Sequence, residues 1–276
     1  MDFFQEKKLF VLTGILAALF CFESALPAWG QDDAASRFPP PQGFVREIYE
    51  DGSFPLYLRH LPLKPKGAVV RYYDGREKPN RAVAAAVVDI SVGTKDLQQC
   101  ADAVMRLRAE YLYSRKRYDE IHFNFTNGFR ADYSAWANGK RIKVSGSHAS
   151  WYDGAEKDYS HAVFLRYLEM VFAYAGTLSL AAEMQPVLSL SLRAGDVWIE
   201  GGSPGHAVIV IDTAVNLQTG KRVFLLAQSY MPAQDIHILV NPASPALSPW
   251  YELKSGSPLV TPEWTFGAET LRRYSE

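Results

Sequence analysis

Two distant segments carry side chains suited to covalent chemistry. Cys100 lies in Asp96-Leu97-Gln98-Gln99-Cys100-Ala101-Asp102, where an apolar helical pattern begins. His206 follows Gly201-Gly202-Ser203-Pro204-Gly205 and opens an apolar, β-branched run. A thiol nucleophile needs a lowered pKa, a base within reach and a group that orients the base. In the first turn of a helix, unpaired N–H groups and the macrodipole favour the thiolate. An imidazole can take the thiol proton and return it to a leaving group. The glycine loop ending at Gly205 would let a substrate approach the backbone closely.

The orienting residue has two candidates. Asp212 shares a strand face with His206, but six residues along a strand is roughly 20 Å, too far to touch. Gln228 falls on the next strand near the diagonal of His206 if the hairpin closes near Gln218, and a one-residue slip would turn it away. A competing reading stays open for all three residues. Cys100 is three residues after Leu97 and four before Val104, beside an apolar stripe, and free cysteine is among the most buried residue types. His206 would then cap a sheet edge, and Gln228 would be a structural hydrogen-bonder.

The elements that must position these residues are legible from periodicity. A helix is expected over residues 96–114, with Asp96 and Gln99 as its capping pair and Leu97, Ala101, Val104, Leu107 and Tyr111 as its stripe. Further helices are expected over 159–174 and 179–184, the second ending before Pro186. Strands are expected over 44–49, 54–58, 68–73, 81–92 and 121–126, then over 196–200, 206–215 and 222–229, with an edge at 236–240. A hairpin loop joins 206–215 to 222–229 through residues 216–220. Residues 31–43, with three successive prolines, read as an extended linker without a core, and the proline-rich tail as a surface wrap. Helices mostly preceding a run of antiparallel strands indicate one α+β domain over 44–276.

Residues 1–30 read as an export signal. Lys7 and Lys8 precede a short apolar stretch over 9–22, and Ala28-Trp29-Gly30 offers a cleavage site before Gln31. The bulky Phe20 argues against lipidation of Cys21. The expectation is a soluble protein outside the cytoplasm with no integral membrane segment after cleavage. The whole chain has 29 Lys and Arg against 30 Asp and Glu, and the leader removes two bases and three acids, so the remaining charges balance. That balance gives no electrostatic basis for binding nucleic acid. No histidine or cysteine spacing matches a metal site, and no cofactor motif is present, since the glycine loop precedes a strand rather than a helix.

The segment Gly195-Asp196-Val197, then Gly205 to Val210, then Leu226-Ala227-Gln228 resembles the C-terminal half of the CHAP and NlpC/P60 cell-wall amidases. The resemblance implies a papain-like core with helices packed on an antiparallel sheet, Cys100 as nucleophile, His206 as base and Gln228 as orienter. It also implies Gln99 or Gln98 as oxyanion donor beside the Cys100 N–H, and hydrolysis of an amide in a peptidoglycan-like peptide. The alternative is a non-catalytic envelope module that binds a peptide or glycan in the same cleft. Ala101-Asp102-Ala103 replaces the small residues that follow the cysteine in those enzymes. Over nearly the whole mature length the chain resembles the bacterial family catalogued as domain of unknown function 4846. Residues 97–103 and 228–234 carry that likeness.

Overall fold

The computed structural model describes residues 32–252, 254 and 256–275. The expected export signal over residues 1–30, with Cys21, lies outside the described residues. The framework is a nine-stranded sheet whose neighbouring strands all pair antiparallel. In chain order its strands are β1 (Val45–Arg46), β2 (Ala84–Val87), β7 (Met184–Pro186), β8 (Val197–Glu200), β9 (His206–Val215), β10 (Arg222–Gln228), β11 (His237–Leu239), β12 (Tyr251–Glu252) and β15 (Leu271–Tyr274). The main path runs β2-β11-β10-β9-β8-β15-β7, with β1 added to β9 and β12 to β10. Three hairpins complete the strands: β3 (His122–Asn124) with β4 (Arg130–Asp132), β5 (Lys140–Ser145) with β6 (His148–Asp153), and β13 (Leu259–Val260) with β14 (Thr265–Phe266). The helices are α1 (Ala34–Arg37), α2 (Phe54–Arg59), α3 (Cys100–Ser114), α4 (Tyr133–Ala137), α5 (His161–Tyr174) and α6 (Thr177–Glu183). The α+β class and its antiparallel sheet are therefore as expected.

Strand β9 is buried along nine of its ten residues because both faces of the sheet are covered. Ala207, Ile209 and Ile211 belong to the larger core with Ala101, Val104 and Met105 of α3. Val208 and Val210 belong to a smaller core with Trp198, Phe224, Tyr251 and Phe266 on the other face. The period-2 alternation of a strand sorts the residues this way.

Several local expectations are corrected. Residues 54–58 form helix α2 rather than a strand. Their apolar residues satisfy both periodicities, and the cap decides: Ser53 Oγ accepts from the Leu56 N–H at 3.4 Å, Pro55 sits in the first turn, and Phe54 and Leu58, four apart, are the buried pair. Residues 68–73 form only isolated bridges, Arg71 to Glu77 and Tyr72 to Gln234. Residues 81–92 yield a 3-10 turn at Arg81–Val83 and the short β2. Strand β11 lies between β10 and β2, not at an edge. The supposed linker contains α1, with Ala34 fully buried and the Pro39 carbonyl accepting from Trp250 Nε1 at 3.0 Å. The tail returns into the sheet, where β15 lies between β8 and β7.

Among the described residues no single helix is long and apolar enough to cross a membrane.

Candidate functional site

Helix α3 starts at Cys100, four residues later than expected. Its capping residue is Gln99, whose N–H donates to Asp102 Oδ2 at 3.0 Å. Asp96 accepts instead from the Ala233 N–H at 2.7 Å and from Gln99 Nε2 at 3.3 Å, tying the start of the helix to the loop after β10. Ser229 Oγ reinforces this join by donating to the Gln98 carbonyl at 3.0 Å. Cys100 is thus the first helical residue, and the backbone N–H groups of Ala101, Ala207 and Cys100 itself stabilise its sulfur. Ala207 is the neighbour of His206, so the chain fold brings the thiol to the start of β9.

The thiol does not have the lowered pKa expected from its helix position. Burial pushes it up to about 11, the Asp102 carboxylate acts in the same direction, and the backbone N–H groups offset only part of this. Cys100 lines a cleft of about 480 Å³ with Gln99, Asp102, Thr177, Gly205 and Met231 among its other walls. Met231 and Leu178 are exposed apolar groups beside it.

His206 is held in a polar array on the smaller-core side of β9. Ala227 pairs with Ile209, so Gln228 falls on the diagonal of His206, and its Oε1 lies 2.9 Å from His206 Nε2. Gln228 Nε2 donates to Glu263 Oε2 at 2.8 Å and lies 3.5 Å from His237 Nε2. His237 Nδ1 lies 2.9 Å from the Asp235 carbonyl, which can only accept, so the His237 proton is on Nδ1 and its Nε2 is an acceptor. The Gln228 amide therefore donates on both sides and its oxygen accepts, which places the His206 proton on Nε2. Nδ1 is left as the basic nitrogen of His206.

Lys78 Nζ completes the array at 2.6 Å from Glu263 Oε1 and 3.0 Å from Gln234 Oε1. The rings of Tyr230, Trp264 and Phe266 enclose the imidazole at 4.8, 5.4 and 5.7 Å between centroids. Burial lowers His206 to about 4, so the imidazole is neutral at pH 7. No hydrogen bond joins it to the Cys100 sulfur among the described residues.

The remaining site residues separate. Gln98 is buried, and its Oε1 accepts from Arg106 at 3.0 Å, away from the thiol cleft that Gln99 lines. Gly205 lines that cleft, but tight packing already accounts for glycine there. A Cβ would fall 2.5 Å from Thr177 Oγ1 and 2.7 Å from the Glu200 carbonyl. Asp212 is a structural carboxylate, with Arg46 Nε and Arg59 Nε each at 2.7 Å. Sequence reasoning missed Glu263, Lys78, His237 and Asp102. Glu263 sits in the proline-rich tail, and no local pattern marks it.

Asp102 is 6 % exposed, and its Oδ1 has no hydrogen-bond partner. Burial raises it to about 8. With the two buried histidines of the array, Asp102 carries the largest shifts that link stability to pH between 4 and 8. His206 and His237 are both lowered to about 4 from 6.5, so their contribution is present above pH 6.5 and lost as pH falls toward 4. Asp102 is raised from 3.8, so its contribution is lost as pH rises from 3.8 through 8. Between pH 4 and 6.5 the two histidines outweigh the one carboxylate. Above 6.5 only Asp102 of the three still titrates.

Stability is therefore expected to peak near pH 6.5 and to fall toward pH 8 by up to about 1.4 kcal/mol per pH unit. Asp102→Asn should flatten that alkaline limb. Urea melts across pH 5 to 8 check this, and wild-type stability that rises from pH 6.5 to 8 would refute the assignment.

Among the described residues no cluster of three or more His, Cys, Asp or Glu could hold a metal ion. No curated protein and no solved structure matches the sequence. Residues 34–273 match the family described as domain of unknown function (4846), and the chain belongs to that family.

Proposed function

We propose that the protein is an exported thiol-dependent amidase with a papain-like core, acting on peptide bonds of peptidoglycan or a related peptide. One observation carries this reading. Gln228 holds His206 through Nε2 at 2.9 Å, leaving Nδ1 as base, while the amide of the next residue, Ala207, faces the Cys100 sulfur. Both reacting groups are neutral at rest, so the thiol passes its proton to His206 Nδ1 as the sulfur attacks the amide carbon. The N–H groups of Cys100 and Ala101 at the helix start, which stabilise the sulfur at rest, would turn to the oxyanion as it forms. Collapse of the tetrahedral adduct expels the amine, which takes the proton from the imidazolium. Water then hydrolyses the thioester, restores the thiol and releases the acid.

The experiment is intact-protein mass spectrometry after rapid mixing with purified muropeptides. The expected product is an acyl adduct on Cys100 that hydroxylamine releases as a hydroxamate. A second reading, a non-catalytic module that binds peptide or glycan, is favoured by one observation. The thiol at about 11 and the imidazole at about 4 form neither an ion pair nor a hydrogen bond. Saturable muropeptide binding with no adduct and no product would establish that reading and reject the amidase.

A further inference from the structure

A cleft of about 600 Å³ lies away from the thiol, between the loop before α2, helix α3 and strand β15. Arg108 of α3 enters it with its guanidinium over three rings: Phe54 at 5.1 Å, Tyr111 at 5.7 Å and Tyr274 at 5.4 Å. Stacking satisfies the faces of the guanidinium but not its in-plane donors. Those donors have no acceptor among the described residues. The more deeply buried arginines do have one: Arg59 meets Asp212, and Arg106 meets Glu110.

Tyr274 supplies a second orphan in the same cleft, since its hydroxyl is buried without a hydrogen-bond partner. Burial keeps that phenol protonated, so it too is a donor. A buried donor left unmade costs about 1–3 kcal/mol, which the Tyr274 hydroxyl would recover by meeting an acceptor from outside beside the half-buried Arg108 fork. Of the other wall charges, Arg117 and Arg273 are paired with Glu120 and Asp196, while Arg193, Glu50 and Asp51 also line the cleft. The donors themselves, rather than a surplus of positive charge, would select the ligand.

We propose that this cleft binds the oxyanion of a ligand, a carboxylate or a phosphate, with Arg108 and the Tyr274 hydroxyl as its donors. A guanidinium fork matches either group with two parallel hydrogen bonds. The site is independent of the thiol chemistry.

Thermal melts of the mature chain with inorganic phosphate, and separately with acetate, at ionic strength held constant with sodium chloride, test the site. One of the two probes should stabilise the wild type saturably, and the tighter one identifies the class. Arg108→Gln should weaken that binding at least tenfold. Tyr274→Phe should weaken it several-fold while the anion-free protein becomes no less stable, because the change deletes an unsatisfied hydroxyl. If Arg108→Gln does not fold, Tyr274→Phe decides alone. No saturable effect of either anion, or unchanged affinity in the folded variants, overturns the proposal.

Discussion

Cys100→Ala is expected to abolish muropeptide turnover, a loss of at least about 10³-fold, while the protein stays folded. The nucleophile has no substitute in this cleft. Cys100 is the only cysteine among the described residues, and the hydroxyls of Thr126, Thr177 and Ser203 that share its cleft are far weaker nucleophiles than a thiol. Alanine removes one sulfur from a site already 7 % exposed, so the fold should lose only about 1 kcal/mol. His206→Ala should match it in direction, because Nδ1 is the only proton acceptor the array leaves open. In the wild type, alkylation of Cys100 at pH 8.5 should run at less than about one-tenth of its rate in the urea-unfolded chain, since an unfolded thiol titrates near 8.5. Turnover that survives Cys100→Ala would remove thiol catalysis outright. Rapid alkylation of the folded thiol would show that burial does not hold it protonated.

Asp212→Ala should cost about 3–5 kcal/mol of folding stability, the largest loss expected from any single carboxylate here. Asp212 is fully buried in β9 and accepts from Arg46 and Arg59 at 2.7 Å each. Arg59 also donates to the Glu47 carbonyl at 2.8 Å, so one carboxylate joins β9, α2 and the segment after β1. Its removal leaves two guanidinium groups facing each other without a counter-charge. The midpoint of urea unfolding at pH 6.5 measures the effect, and a loss under about 1 kcal/mol would mean that solvent reaches the arginines.

Much of the site was legible because its parts lie in strongly periodic segments. The bounds of β9, residues 206–215, match the expectation, and β10 is one residue shorter than expected. Those two strands and the loop between them already fix the Gln228 diagonal. Helix α3 was legible in type but not at its start, because Asp96 and Gln99 mimic a capping pair. The choice was made by the Ala233 amide, far along the chain, which takes the Asp96 carboxylate. Residues 54–58 were ambiguous for a similar reason: a run of five fits both periods, and packing of Phe54 and Leu58 selects the helical one.

Sequence by itself determined the cast and its local scaffolding: one thiol at a helix start, one imidazole opening a strand, a glutamine across a hairpin, and the α+β class. The tertiary structure alone decided their chemistry. Helix position argues for a thiolate, yet burial among α3 and β9 holds the thiol near 11, and a desolvation cost depends on every neighbour rather than on residue order. The tautomer of His206 likewise depends on Glu263, Lys78 and His237, which three separate segments deliver to Gln228. Periodicity reports which way a side chain faces, but only long-range packing determines what it meets there.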